Sequence, residues 1–149
     1  MTTLVWRGLD APRMEVAHVE EWDRAHGTQI GITYELRWKL DGERVHVDLV
    51  GQGERDFELG DTDFFDIAHS PFFNSLPVIR NGLLDGGEPR DYVMTFVSWP
   101  PLEATRSAQR YTPLGQGVVR YTSGDFEADI AFGADGFVSL YQDYLERIA

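Results

Sequence analysis

From Thr28 to Leu40, apolar and polar residues alternate without a break. Ile30, Ile32, Tyr34, Leu36, Trp38 and Leu40 share one parity; Gln29, Gly31, Thr33, Glu35, Arg37 and Lys39 share the other. A period of two is that of a β-strand with one buried face. At 100° per residue the same apolar groups would scatter around a helix. Thirteen residues at about 3.3 Å each reach roughly 40 Å, about twice the usual strand. A strand that long must twist and coil with its sheet. The pattern therefore predicts one strand inside a curled sheet, with its even-numbered side chains on the concave face.

Shorter runs of the same kind follow. Strands are predicted at Thr3–Gly8, Met14–Trp22, Arg44–Val50, Arg55–Gly60, Asp91–Trp99, Ser107–Thr112, Gly117–Thr122, Phe126–Phe132 and Phe137–Tyr141. Gln142–Ile148 is predicted as a short C-terminal helix. The connectors Asp41-Gly42, Asp85-Gly86-Gly87, Ser123-Gly124-Asp125 and Asp135-Gly136 carry turn chemistry that joins antiparallel neighbours. Parallel neighbours would need crossover helices. Gly60 to Gly87, with Pro71 and Pro77, reads as one long irregular stretch, where function tends to sit. No repeat or linker divides residues 1–149, a length that suits one domain.

Composition narrows the function. A net charge of −12 argues against nucleic acid and against an anionic membrane surface. With no cysteine there is neither a disulfide framework nor a thiolate site. No apolar run is long enough to span a bilayer, and the first residues lack a signal-like apolar stretch; the expected location is the cytoplasm. His18, His26, His46 and His69 show no metal-binding spacing, so no metal and no cofactor is expected. No nucleophile elbow or phosphate loop is present, and no catalytic residue is assigned. The acidic run Asp61, Asp63 and Asp66 fits a turn, or a carboxylate set for sugar chemistry.

Two readings fit the segment from Asp66 to Arg80. In one, Phe72, Phe73 and Leu76 plug an open end of the core. In the other, the segment walls a pocket, since a mostly apolar cavity with a few placed polar groups is the usual small-molecule site.

Asp66-Ile67, Ser70-Pro71, Asn74-Ser75-Leu76-Pro77 and Arg80 resemble the D-[LI]-x-x-[ST]-P-x-[TF]-N-[ST]-L-P-[IV]-x-R pattern of the family named putative glycolipid-binding, long a domain of unknown function. Gly27–Gly31, Pro101-Leu102, Gln109-Arg110-Tyr111, Arg120-Tyr121 and Phe126–Tyr141 are similar to further elements of that family, in the same order. One departure is Ile79, where the family usually carries a second arginine. The resemblance implies a mainly β domain: a single strongly curled antiparallel sheet, a half-barrel similar to bacterial lipoprotein carriers. It also implies glycolipid binding.

Residues and resemblance together give a non-enzymatic binding domain that holds an apolar or glycolipid-like small molecule against the concave face. Tyr34 and Trp38 supply apolar area with polar tips. Asn74, Arg80, Gln109 and Tyr111 meet the polar end, because buried polar groups need partners. The alternatives are an enzyme acting on a sugar or lipid intermediate through the acidic run, and a protein-interaction module.

Overall fold

The computed structural model describes residues 2–19, 24–38, 43–99 and 101–149. Its strands are β1 (Thr2–Gly8), β2 (Arg13–Val19), β3 (Arg24–Gln29), β4 (Ile32–Trp38), β5 (Arg44–Leu49), β6 (Gly53–Glu58) and β7 (Phe64–Ile67), then β8 (Arg90–Ser98), β9 (Glu103–Gly115), β10 (Val118–Ser123), β11 (Phe126–Phe132), β12 (Val138–Tyr141) and β13 (Leu145–Arg147). Between β7 and β8 lie helix α1 (Pro71–Asn81) and a 3₁₀ turn, Leu83–Asp85.

All strands join one sheet in the order β6-β5-β4-β3-β2-β1-β13-β12-β11-β10-β9-β8-β7. Every pairing is antiparallel except β7 with β8. The chain meanders outward from β1 to one edge, crosses to the other edge at β7, and meanders back until β13 pairs with β1. The seam aligns Trp6 with Arg147 and Gly8 with Leu145.

One helix shows that the sheet curls. Rings of α1 pack on Trp38 of β4, with centroids 4.8 Å away for Phe72 and 5.1 Å for Phe73. The same helix also touches β12 and β7. These strands stand third, eighth and thirteenth in the sheet order, so the sheet must wrap around α1. Pro71 through Val78 are all buried. The core is the layer between this helix and the inward side chains, among them Trp6, Leu36, Val45, Val47 and Ile130.

Three expectations change. The predicted Thr28–Leu40 strand is two strands joined at Ile30-Gly31, whose φ angles of 45° and 84° are those of a two-residue hairpin turn. Gln29 pairs with Ile32 across it. Inward parity therefore flips, from Ala25 and Gln29 on β3 to Tyr34, Leu36 and Trp38 on β4, and Ile30 is left exposed at the tip. Lys39 to Gly42 lie outside the described residues.

The predicted helix over Gln142–Ile148 is a turn followed by β13. A helix that short is marginal by itself, whereas the seam gives Leu145 a buried place at 2 % exposure. Helix α1 stands instead inside the stretch expected to be irregular. Pro71 suits its first turn, and Gly82, at φ 63°, closes it with an N–H to the Val78 carbonyl. Pro77 removes one helical N–H at a cost of about 3 kcal/mol, which burial on all sides offsets.

Candidate functional site

A cavity of about 200 Å³ lies where β7 hands over to α1. Its walls come from Asp66–Pro71, Asn74, Phe96, Tyr121, Phe126, Tyr141, Tyr144 and Leu145. The connector Ala68–Ser70 is pinned at both ends: the Ala68 amide donates to the Val97 carbonyl at 2.8 Å, and the Ser70 amide to the Ile67 carbonyl at 3.0 Å. Between them His69 is held at φ 65°, a left-handed conformation uncommon outside glycine.

Asp66 is the carboxylate of this cavity and is 8 % exposed. Gln109 Nε2 donates to its Oδ2 at 2.8 Å, and the Tyr121 hydroxyl also bonds to it. Burial pushes its pKa up to about 6, against the opposing pull of those two donors. An ionised carboxylate has about four acceptor sites, so capacity remains for a ligand.

Tyrosines form a continuous run beside it. Ring centroids from Tyr92 to Tyr111, Tyr121, Tyr141 and Tyr144 step by 5.4, 5.6, 6.5 and 5.1 Å. Desolvation raises the pKa of each of these phenols, so they enter as neutral donors. Tyr144 bonds to His69 Nδ1 and carries the Arg13 guanidinium over its ring at 4.9 Å. Burial, reinforced by Arg13, drives the His69 pKa down to about 4, which keeps the imidazole neutral.

A second buried carboxylate stands behind the connector. Glu15 on β2 is 2 % exposed. It accepts from the Ser70 hydroxyl at 2.8 Å and the Tyr34 hydroxyl at 2.7 Å. Burial raises its pKa to about 7 even so.

The sequence-predicted residues are distributed around this centre. Asn74 lines the cavity, and its amide donates to the Tyr111 hydroxyl at 3.5 Å. Gln109 holds Asp66. Tyr34 reaches the cavity wall indirectly, through Glu15 and Ser70 and through Trp99, whose ring lies 5.0 Å from its own and 6.2 Å from that of His69. Trp38 is sealed beneath Phe72 and Phe73, so α1 covers the part of the concave face that the alternation assigned to a ligand; this is the plug reading. Arg80 stands exposed in the last turn of α1, about 14 Å along the axis from Pro71 at 1.5 Å per residue. Asp61 pairs outward with Arg106 at 2.6 Å, and Asp63 accepts from the Val93 amide at 2.7 Å. The acidic run is thus split, with only Asp66 turned inward.

Sequence reasoning missed Glu15, His69, Tyr121, Tyr141 and Tyr144. The available signal for Glu15 was its parity: it shares the inward face of β2 with Ala17, while Met14 faces out. For His69 and Tyr144 there was none, since a contact across 75 positions leaves no local pattern.

The family model described as "Putative glycolipid-binding" matches residues 28–147. The chain belongs to this family. The matched span takes in Asp66, Asn74 and all the cavity tyrosines, but not Glu15. Among solved structures, a DUF1089 family protein from Pseudomonas aeruginosa is similar in fold. It shares 24 % identity at a TM-score of 0.67, over 91 % of this chain and 92 % of its own. No curated protein matches the chain. Among the described residues, no helix is long and apolar enough to cross a membrane, and no group of three or more His, Asp or Glu side chains is placed to hold a metal.

Proposed function

We propose that this chain binds an amphiphile of the glycolipid class without transforming it, and that the polyhydroxyl head occupies the cavity at Asp66. The observation that carries this reading is a buried carboxylate with spare acceptor capacity in a cavity walled by Tyr121, Tyr141, Tyr144 and Asn74. Aromatic faces pack on the C–H faces of a sugar, while a carboxylate and an amide bond to its hydroxyls. The family description supports the ligand class.

The volume supports the placement of the head. About 200 Å³ is below the roughly 300–1,000 Å³ of a site for a drug-sized ligand. That suits one polar head better than an acyl chain. The chain leaves past Phe126, which is 52 % exposed at the mouth. In this arrangement Asn74 touches the head, Gln109 and Tyr111 hold Asp66 and Asn74 in place, and Tyr34 and Trp38 support the wall from behind. Arg80, in the last turn of α1, is outside the cavity walls and is given no part in this reading.

Titration calorimetry with octyl glucoside below its micelle concentration, beside octanol, tests this. The glucoside is expected to bind and octanol to bind at least tenfold more weakly, with Asp66→Asn losing about tenfold in glucoside affinity. Equal affinity for both compounds, or an unchanged Asp66→Asn variant, would overturn the placement.

A further inference from the structure

A second site lies on the outer face of the sheet. Strand register places His18 opposite Arg24, and Arg24 opposite Arg37. All three side chains point away from the core, and Arg24 and Arg37 are like charges directly opposite each other, which destabilises a sheet. This chain carries 25 acidic and 13 basic residues, so pairing every arginine would be easy. Arg7, Arg13, Arg44, Arg106, Arg110, Arg120 and Arg147 do form ion pairs. Arg24, Arg37, Arg55 and Arg90 form none with the described residues, and of these Arg24 and Arg37 stand directly opposite each other.

The next residue in that row, His46, is already taken: its ring nitrogens meet Asp56 at 2.6 Å and Glu54 at 3.4 Å. A depression of about 270 Å³ is lined by Arg24, Arg37, His18, His26 and Glu35, with Ala25 and Leu36 at its base. The imidazoles of His18 and His26 converge on it, with their Nε2 atoms 3.2 Å apart. Glu35, the one carboxylate on this wall among the described residues, is registered opposite His26 rather than between the arginines.

We propose that this depression binds a small phosphate-type dianion, with the guanidinium forks of Arg24 and Arg37 on its oxygens and an imidazole N–H completing the set. Two forked donors opposite one another match the oxygens of a phosphate, and a bound anion removes the repulsion that the register creates. The source is a free phosphate or phosphate monoester. A lipid headgroup in a membrane is disfavoured, because an anionic surface repels a chain of net charge −12.

The test is titration of the full chain with inorganic phosphate and with phenyl phosphate, followed by calorimetry and by the His18 and His26 ring resonances. A parallel arm uses phosphatidylcholine vesicles with and without phosphatidic acid. Saturable binding of both soluble anions is expected, with Arg24→Gln and Arg37→Gln each weakening it at least about tenfold. Phosphate should raise the thermal midpoint of the wild type, while the unliganded variants keep theirs or gain slightly. The proposal is overturned by no saturable response to soluble phosphate, by unchanged affinity in the double variant, or by a response to phosphatidic acid vesicles alone. Zinc shifting the two histidines while phosphate does not would equally overturn it, making this a cation site.

Discussion

The Ser70 hydroxyl donates to Glu15 Oε1 at 2.8 Å, although Ser70 stands at the N-cap of α1. A serine there ordinarily accepts from the first helical amides, and no such bond forms here. The helix gives up its side-chain cap to solvate a buried carboxylate. Ser70→Ala removes one of the two hydroxyl donors that Glu15 has among the described residues, and is expected to cost about 1–3 kcal/mol at pH 8. The loss should be smaller at pH 5, where Glu15 is protonated. Urea denaturation at the two pH values measures it, and equal losses would show that the bond does not serve the charge.

Glu15 itself links stability to pH. Its folded pKa is raised from 4.5 to about 7, so the folded chain holds a proton that the unfolded chain releases in that window. Its contribution is fully present below about pH 4.5 and is lost as pH rises to about 7. Glu15→Gln lacks this titration. Between pH 4.5 and 7.5 its stability relative to wild type is expected to rise by on the order of 3 kcal/mol. Parallel denaturation midpoints across that range would contradict the burial of the charge.

His69 carries the opposite sign. Its pKa falls from 6.5 to about 4 on folding, so the unfolded chain binds the extra proton. The His69 contribution to stability therefore rises with pH between those values. His69→Asn, which keeps a residue tolerant of φ 65°, should remove that rise. The ring C–H resonances of His69, titrated from pH 3 to 8, report the shift directly.

Trp38 is 6 % exposed, and its indole N–H has no partner among the described residues. Trp38→Ala is expected to cost about 3–5 kcal/mol through the cavity left under Phe72 and Phe73. Trp38→Phe also removes an orphaned donor, and should cost less than about 1.5 kcal/mol. Neither variant, where folded, should change affinity for an alkyl glucoside more than about threefold, as RT ln 3 is a fraction of a kcal/mol.

Ile30 is strained without being buried. It is β-branched, sits at φ 45° and is 59 % exposed. Ile30→Asn replaces it with a residue suited to the first turn position. The change is expected to add about 1 kcal/mol, or roughly 2–4 °C in Tm for a chain of this size. A lowered midpoint would mean that the tip carries a contact beyond the turn.

Much of the sheet was legible along the chain. Phe126–Phe132 is found with its predicted bounds, because clean alternation next to a glycine turn leaves a strand little choice of phase or extent. The hairpin inside Thr28–Leu40 was hidden because a two-residue turn restores the alternation on its far side, and Ile30 lacks the Asn or Asp that marks such turns. Helix α1 was hidden by Pro77 and by apolar residues on every side, so it had no amphipathic stripe to read.

Of the candidate site, the Asp66–Asn74 motif, Gln109 and Tyr111 could be read in advance, since they recur as a pattern in one stretch of sequence or in fixed order. By itself the sequence determined most of the extended segments, though not Phe64–Ile67 or Leu145–Arg147, and that one face of the sheet is apolar. Only the tertiary structure decided that this face wraps a helix, that β13 closes against β1, and that Glu15 and Asp66 lie out of water. The reason is physical: alternation is set between neighbours a few residues apart. Burial of a carboxylate, and with it the pKa and the chemistry, depends on groups brought together from 55 positions away, as Ser70 is to Glu15.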